Sequence, residues 1–252
     1  MTLTLDSLSR SYGGFHAVQS VSLSLSTNAI VGMIGPNGAG KTTLFSLING
    51  LQSPSSGSVS LDGLDLTTLP AFKRARAGLA WTFQVPRPFS HLTVLENLLV
   101  AARNQPGDSI LRAFFQPRAT RRFEVEIERR AKQILEFLRL SHVSEEFSKN
   151  LSGGQKKLVE LGRALMLEPK FILLDEPFAG VNPVLIDEIS ERIIELNQLG
   201  IGFLIIEHNI GALSRLCKRM VVLDHGRAIG DGSPAQVLAD ETVRMAYLGE
   251  SV

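Results

Sequence analysis

The stretch GPNGAGKTT occupies residues 35–43, between a short apolar run and a segment with apolar residues at helical spacing. Its members are Gly35, Pro36, Asn37, Gly38, Ala39, Gly40, Lys41, Thr42 and Thr43. The first eight fit the pattern GxxxxGK[ST], whose glycines let several backbone N–H groups converge on phosphate oxygens. Lys41 adds a charge for the β and γ phosphates, and the Thr42 hydroxyl suits Mg²⁺. Strand, glycine turn and helix in this order favour a site for ATP and Mg²⁺ over a chance glycine-rich turn.

Compact apolar runs alternate with helical patterns on both sides of this loop. Period-two alternation at residues 3–5 and 18–25 predicts half-buried strands near the N-terminus. Fully buried strands are predicted at 29–34, 171–175, 202–206 and 220–223, and helices at 41–49 and 183–198. Strands that alternate with helices indicate an α/β fold with a mainly parallel sheet covered by helices.

The 252 residues carry a formal net charge of +1, with 44% hydrophobic and 20% charged residues. This balance is typical of a globular protein and gives no overall attraction to nucleic acid or to an anionic membrane, so no nucleic-acid partner is expected. The single Cys217 excludes a disulfide within the chain. No signal-peptide pattern opens the sequence, and no apolar run approaches the roughly 20 residues that span a bilayer. A membrane role would therefore require docking to another protein.

Two acidic residues end the apolar run that begins at residue 171. Asp175 and Glu176 would lie at the carboxyl edge of the sheet, where doubly wound folds bind ligands. Asp175 is the candidate for holding a metal ion, and Glu176 is the candidate general base that polarises the attacking water. A strand followed by a polar turn is the common alternative, and the phosphate loop elsewhere in the chain is what favours catalysis.

The sequence LSGGQ at residues 151–155 precedes a segment with leucines at helical spacing. Ser152 is a plausible N-cap, and Gly153 and Gly154, followed by Gln155, leave backbone N–H groups open to an anion. A Ser-Gly-Gly run is usually a flexible loop. This motif therefore indicates a phosphate contact only in combination with the phosphate loop and the acidic pair.

These three motifs, in this order, closely resemble the ABC ATPase family, and the resemblance covers essentially the whole chain. It implies a P-loop NTPase fold with a RecA-like parallel sheet core, an N-terminal antiparallel β subdomain and an inserted helical subdomain at about residues 86–156. The core and β subdomain then occupy about residues 1–85 and 157–252 of a single ABC ATPase domain. The resemblance also implies that LSGGQ is the family signature and that the chain hydrolyses ATP with Mg²⁺.

Three further residues take roles from this resemblance. Gln84 matches the glutamine that senses metal, water and the transmembrane partner. His208 matches the switch histidine that contacts the γ phosphate, and Tyr12 matches the aromatic ring that stacks on adenine. Each has a plain alternative: a surface polar residue, a strand-end histidine and a packing aromatic residue.

The resemblance implies a head-to-tail pair of cassettes, either two copies or two paralogues. Each ATP would be held by one subunit's phosphate loop and by the partner's Ser152 and Gly154. The other implied partners are transmembrane permease subunits and, indirectly, a solute-binding protein, which would make the chain cytoplasmic and peripheral on the inner face of the cell membrane. Asn182 stands where most family members carry aspartate, which puts communication between the two sites in question.

Several stretches resemble the cassettes of importers for branched-chain amino acids and related polar solutes, including urea. They are WTFQ at 81–84, HLTVLEN at 91–97, AGVNP at 179–183, IEHN at 206–209 and VRMAYLG at 243–249. Two alternatives stay open: a soluble single-cassette ATPase for assembly or remodelling, and an exporter cassette, such as one for lipopolysaccharide. Residues 86–89 are a candidate permease contact. The six arginines of residues 112–130 indicate an ion-paired solvated face or a surface near the permease or lipid headgroups.

Overall fold

The structure is a computed structural model that describes residues 1–103 and 117–248. Its contacts divide the chain into two compact units, Met1–Gln84 with Lys170–Val252, and Val85–Pro169. The first unit contains two sheets, whereas the elements described in the second are helical. The second unit reaches beyond the range of about 86–156 expected from the sequence, because the helix that follows the LSGGQ motif packs on the two helices before it.

The sheets of the first unit confirm the α/β class and the antiparallel N-terminal part. The strands are β1 Thr2–Tyr12, β2 Phe15–Ser26, β3 Ile30–Ile34, β4 Ser56–Leu61, β5 Leu64–Asp65, β6 Leu79–Trp81, β7 Phe171–Asp175, β8 Gly202–Ile206, β9 Arg219–Asp224 and β10 Arg227–Gly232. An antiparallel sheet has the order β2-β1-β4-β5, and a larger sheet has the order β10-β9-β3-β8-β7-β6. Neighbours in the larger sheet run parallel except β9 and β10.

The helices include two whose bounds agree with the sequence pattern at 41–49 and 183–198. In the described residues they are α1 Lys41–Asn49, α2 Ala71–Ala77, α3 Val94–Val100, α4 Pro117–Phe137, α5 Gly153–Met166, α6 Pro183–Gln198, α7 Ile210–Leu216, α8 Pro234–Ala239 and α9 Glu241–Leu248. Across residues 1–103 and 117–248, each helix is too short or too polar to span a bilayer.

The parallel strands of the larger sheet bring distant parts of the sequence to one edge. All five residues of β8 are buried, and Gly202 lies opposite Phe171 of β7. A Cβ on Gly202 would come within 2.3 Å of the Phe171 ring, so a larger residue would force this buried ring to move. Because β3, β8, β7 and β6 are parallel neighbours, their carboxyl ends meet at the same edge of the sheet. The segments that follow these four ends carry most of the candidate site residues.

Asn97 of α3 holds the first loop of the second unit. Its side-chain oxygen accepts a hydrogen bond from Phe89 N–H at 2.8 Å, and its amide nitrogen donates to Phe89 O at 3.1 Å and Ser148 Oγ at 2.8 Å. Asn97 is fully buried, whereas Phe89 is about half exposed and lies under the Arg163 guanidinium at 5.0 Å. The last residue of the candidate permease contact is therefore held by its backbone while its aromatic ring stays at the surface.

The arginine-rich segment falls partly outside the described residues, since Arg112 belongs to residues 104–116. Within α4, Arg129 pairs with Glu126, and Lys132 pairs with Glu128 at 2.6 Å, with all four side chains largely exposed. Exposed pairs of this kind on one helix contribute little to stability, because solvent screens their charges. This part of α4 is a solvated, ion-paired face.

Candidate functional site

A cavity of about 410 Å³ in the first unit is formed where the parallel strands end. Its lining residues are Phe15, Ala17, Asn37, Gly38, Ala39, Gly40, Lys41, Thr42, Thr43, Gln84, Glu176, Ile206 and His208. The structure thus brings most of the phosphate loop to the same walls as Gln84, Glu176 and His208. A volume of this size and a mixed polar lining are typical of a site for a small ligand.

Two glycines give the phosphate loop a path that no other residue could follow. Gly35 has φ 153°, and a Cβ there would lie 2.1 Å from the carbonyl oxygen of Leu223. Gly40 has φ 98°, and its Cβ would lie 2.3 Å from the carbonyl oxygen of Ala17. Positive φ and close backbone contacts both require glycine, so the loop lies tightly against neighbouring strands.

Lys41 and the start of α1 make this loop suited to an anion. The buried Lys41 Nζ donates to Gly35 O at 2.6 Å and to Pro36 O at 2.8 Å, so the ammonium is held against its own loop. Gly40 is the N-cap of α1 and no side chain caps this terminus. The backbone N–H groups of the first turn and the helix dipole therefore attract negative charge into the cavity.

Glu176 joins the other two catalytic candidates. Its Oε2 accepts from Gln84 Nε2 at 2.7 Å, and its Oε1 lies 3.1 Å from His208 Nε2. Glu176 has φ 49°, a left-handed conformation that is unfavourable for a residue with a Cβ, and its N–H donates to Ile206 O at 2.9 Å. The backbone is held in this conformation at the cavity wall, and such strain is typical of functional sites.

Asp175 and Thr42 fit a magnesium ion by their chemistry. Burial and the neighbouring Glu176 carboxylate raise the pKa of Asp175 to about 6, while Lys41 and His208 lower it. A divalent cation would relieve this crowding of negative charge, and carboxylate and hydroxyl oxygens are the ligands that Mg²⁺ prefers. Thr42 and Gln84 line the cavity, whereas Asp175 is not among the lining residues. The hydroxyl, amide and carboxylate oxygens of these three residues suit the ion by their chemistry.

The aromatic residue that lines the cavity is Phe15, whereas Tyr12 is not among the lining residues. The Tyr12 hydroxyl donates to the side-chain oxygen of Gln52, and the Arg10 guanidinium lies 4.7 Å from the ring centroid. Phe15 is 64% exposed, so its ring is accessible to a ligand in the cavity. The stacking role of Tyr12 stays a prediction, and Phe15 is a second candidate that the motifs did not indicate.

Glu207 is another residue that the motifs did not single out. It follows β8, is buried, and accepts backbone hydrogen bonds from Phe178, His208 and Asn209. The available signal was an acidic residue directly after a compact apolar strand, the same pattern that identified Asp175.

The LSGGQ motif lies in the second unit, at the start of α5. Ser152 Oγ accepts from Gln155 N–H at 3.2 Å, and Gln155 Oε1 accepts from Ser152 N–H at 3.0 Å. This capping box satisfies two backbone donors within the chain. Adding a Cβ to Gly153 would meet nothing within 4 Å, so the space beside it is open to a ligand.

Asn182 is the N-cap of α6, and its side-chain oxygen accepts from Leu185 N–H at 2.9 Å. Asparagine and aspartate are about equally good N-caps, so the departure from the usual aspartate leaves this helix start intact. The substitution removes a charge from the segment that follows Glu176.

Comparison with known proteins places this site in a large family. Residues 18–179 match the family model described as ABC transporter. Residues 229–252 match the model described as branched-chain amino acid ATP-binding cassette transporter. The first match covers the phosphate loop, the LSGGQ motif and the acidic pair in one stretch.

Similar curated proteins have two different printed names. The lipopolysaccharide export system ATP-binding protein LptB of Haemophilus influenzae is 39% identical over 98% of this chain and 97% of that protein. The probable branched-chain amino acid transport ATP-binding protein LivG of Methanocaldococcus jannaschii is 39% identical over 98% of this chain and 97% of its own length. The protein of the same name from Archaeoglobus fulgidus is 38% identical over 98% of this chain and 95% of its own.

Solved structures agree with the fold over nearly the whole chain. A nucleotide-free ATP-binding cassette from an ABC transporter has a TM-score of 0.86 and 38% identity, covering 98% of this chain and 99% of the other. The ADP conformation of an ATP-binding cassette of an ABC transporter has the same TM-score and identity, covering 99% of each chain. The fold of this chain is thus shared with a cassette whose structure was solved in an ADP conformation.

Proposed function

The chain belongs to the ABC transporter family, and from this premise we propose that it is the ATP-hydrolysing subunit of an importer. The solute class that we infer is branched-chain or other neutral amino acids, or a related polar solute such as urea. ABC ATP-binding proteins are ATPases coupled to transport, and they function with a second cassette and with transmembrane permease subunits.

One observation carries the choice of solute class. Residues 229–252 match the branched-chain amino acid model, whereas the match over residues 18–179 is to the general family. The catalytic motifs serve any transported substrate, so the C-terminal match is the one that distinguishes a branch. The two LivG relatives support the same choice.

The chemistry that we propose follows from the side chains at the cavity. Lys41 exchanges its bonds to Gly35 and Pro36 for bonds to phosphate oxygens, and the α1 dipole adds to the attraction. Mg²⁺, when bound, neutralises phosphate charge, and Thr42, Asp175 and Gln84 are the residues that would hold it.

Glu176 is the residue that accepts a proton in the proposed reaction. Its carboxylate takes a proton from the attacking water, and the contacts with Gln84 and His208 fix its direction. His208 is on the same cavity wall and is the residue that we expect to contact the γ phosphate. The partner's Ser152 and Gly154 complete the site from a second cassette in this proposal.

Replacing Glu176 by glutamine tests the catalytic assignment. Glu176→Gln keeps the shape and the Gln84 contact but removes the base, so we expect turnover to fall by about 10²- to 10⁴-fold. ATP binding should persist and an ATP-bound dimer should accumulate, measured by phosphate release and size-exclusion chromatography with and without ATP. Normal turnover by this variant would mean that Glu176 is not the base.

The solute class is tested by transport. A strain without this chain should lose uptake of radiolabelled leucine or urea, and wild-type protein should restore it while Lys41→Ala and Glu176→Gln should not. Affinity purification of the tagged chain from detergent-solubilised membranes should recover multi-span permease subunits. Recovery of soluble proteins alone, with uptake unchanged, would favour a soluble ATPase of assembly or remodelling.

Lipopolysaccharide export is the second candidate, and the LptB relative at 39% identity is the observation that favours it. The same deletion strain separates the two proposals. Loss of lipopolysaccharide from the cell surface with amino-acid and urea uptake intact would establish export and overturn the importer.

A further inference from the structure

Glu207 is a buried acidic residue between two loops of the site. It follows β8 directly and is 3% exposed. Acidic residues are almost never this buried unless their carboxylate is paired or hydrogen-bonded. The reason for its burial therefore lies in the groups that contact its two oxygens.

The Glu207 carboxylate accepts hydrogen bonds from the backbone of both loops. Oε1 accepts from Phe178 N–H at 2.6 Å, two residues beyond Glu176. Oε2 accepts from His208 N–H at 3.1 Å and from Asn209 N–H at 3.3 Å. One side chain thus connects the loop that carries Glu176 with the loop that carries His208.

Glu176 and His208, which lie on the two loops that Glu207 connects, contact each other in the cavity. Glu176 Oε1 lies 3.1 Å from His208 Nε2, and the Glu176 N–H donates to Ile206 O at 2.9 Å. Two links, one from the backbone of β8 and one from the Glu207 carboxylate, therefore bear on the distance between Glu176 and His208. The left-handed φ of 49° at Glu176 needs support of this kind, because the conformation is unfavourable by itself.

We propose that Glu207 is a positioning residue that sets the direction of the Glu176 carboxylate relative to His208 during ATP hydrolysis. This inference rests on the proposed roles of Glu176 and His208. Glu207 does not line the nucleotide cavity and acts only through the two loops. A carboxylate is needed because its two oxygens accept bonds on opposite sides, whereas a glutamine amide would present N–H groups to N–H donors on one side.

The expected signature is a loss of turnover without a loss of binding. The phosphate loop and Lys41 are in other segments, so the dissociation constant for ATP should stay within about twofold in Glu207→Gln, while a shift of about 1 Å at the base should lower kcat by about 10- to 100-fold. Glu207→Asp keeps both acceptor oxygens but is shorter by one methylene group. Its kcat should lie between those of the wild type and Glu207→Gln.

The experiment measures kcat and KM by phosphate release, ATP affinity with a fluorescent ATP analogue, and amide hydrogen exchange at Phe178, His208 and Asn209. Glu241→Gln, an exposed acid at the start of α9, is the matched control and should behave as wild type. In a Glu176→Gln background, Glu207→Gln should add little further loss, because a residue that acts through another is not additive with it. Faster exchange at the three amides should accompany the loss of kcat.

Four outcomes would overturn the inference. They are wild-type kcat in folded Glu207→Gln, an equal loss of ATP affinity and kcat, a full multiplicative effect in the Glu176→Gln background, and failure of both Glu207 variants to fold. If only Glu207→Gln fails to fold, Glu207→Asp decides by the same measurements. Normal turnover in Glu176→Gln would instead refute the proposed function, so the two failures are distinguishable.

Discussion

The chain contains two helix N-termini proposed to contact phosphate, and they are built in opposite ways. The α1 terminus begins at Gly40, has no side-chain cap, and holds the buried Lys41 ammonium beside it. The α5 terminus begins at Ser152 and is closed by a reciprocal capping box with Gln155. The difference shows that a glycine N-cap leaves backbone donors for a ligand, whereas a serine N-cap uses local side chains to satisfy them.

This difference suits the two proposed roles. In the proposal the α1 terminus binds the phosphates of the cassette's own nucleotide, so open donors and a fixed cation are useful there. The Ser152 hydroxyl accepts one bond from Gln155 N–H and still has its own proton to donate. It can therefore add a bond to a nucleotide on the partner cassette without losing the helix start.

Removing the Lys41 ammonium from the uncapped α1 terminus should have the largest effect. Lys41→Ala deletes the ammonium that bridges Gly35 O and Pro36 O and that would contact two phosphates. We expect ATP affinity to fall by about 1,000-fold, because hydrogen bonds to charged groups are worth about 1.5–3 kcal/mol each. Titration with a fluorescent ATP analogue measures it, and Lys73→Ala, an exposed lysine in α2, is the control. Tight binding by Lys41→Ala would refute the phosphate-loop assignment.

The backbone of the α1 terminus can be tested at two glycines of the phosphate loop that have different surroundings. Gly40 and Gly38 both have positive φ, but a Cβ at Gly40 would lie 2.3 Å from Ala17 O, whereas a Cβ at Gly38 meets nothing within 4 Å. Gly38→Ala should cost about 1 kcal/mol of the free energy of unfolding, the usual penalty for a left-handed alanine. Gly40→Ala should cost about 3 kcal/mol, since the backbone must also move. Equal losses in urea unfolding would show that the Ala17 contact is unimportant.

Residues that are close in sequence were predictable, and residues that meet only in three dimensions were not. The phosphate loop is one contiguous motif, and the buried strands that end at Asp175 and Ile206 are visible as apolar runs. Their meeting at one edge follows from the parallel order β3-β8-β7-β6. The role of Glu207 depends on Phe178 N–H, 29 residues away in sequence, so no local sequence pattern predicts it. The placement of Phe15 rather than Tyr12 at the cavity likewise depends on how β1 and β2 turn, which composition does not encode.

The partly buried Asp175 carboxyl should make the free energy of unfolding depend on pH. Burial and the Glu176 carboxylate raise the pKa of Asp175 from 3.8 to about 6. In the unfolded chain the carboxyl loses its proton near pH 4, whereas the folded protein keeps it until about pH 6. The folded state then binds more protons in this window, so stability should fall as pH rises from about 4 to 6 and not change further above it.

The size of this effect should be about 2 kcal/mol after allowing for partial solvent access. Urea unfolding of the nucleotide-free protein in EDTA, from pH 4 to 7, measures it against Asp175→Asn. The variant lacks the titrating group, so the difference in unfolding free energy between the two proteins should change over this window. A constant difference between the two proteins would mean that the Asp175 pKa is close to its ordinary value.

The smallest effect is expected at the α5 terminus, which is capped by Ser152. Ser152→Ala removes the acceptor for Gln155 N–H and should lower the free energy of unfolding by about 1 kcal/mol, the usual cost of losing an N-cap. The chain offers a matched control, because Ser233 of α8 forms the same capping box with Gln236. Ser233→Ala should cost about as much in urea unfolding, since the same reciprocal capping box is lost, together with the bond that Ser233 Oγ donates to Gln236 Oε1 at 2.8 Å.

ATP turnover then separates capping from phosphate contact. If Ser152 also donates to nucleotide on the partner cassette, Ser152→Ala should lower kcat by about 10- to 100-fold, the contribution of one hydrogen bond to a charged group, while Ser233→Ala leaves kcat unchanged. Equal turnover in the two variants would limit Ser152 to closing its own helix. The contrast with α1 would then extend to function, because the N-cap side chain of α5 would make no contact with phosphate.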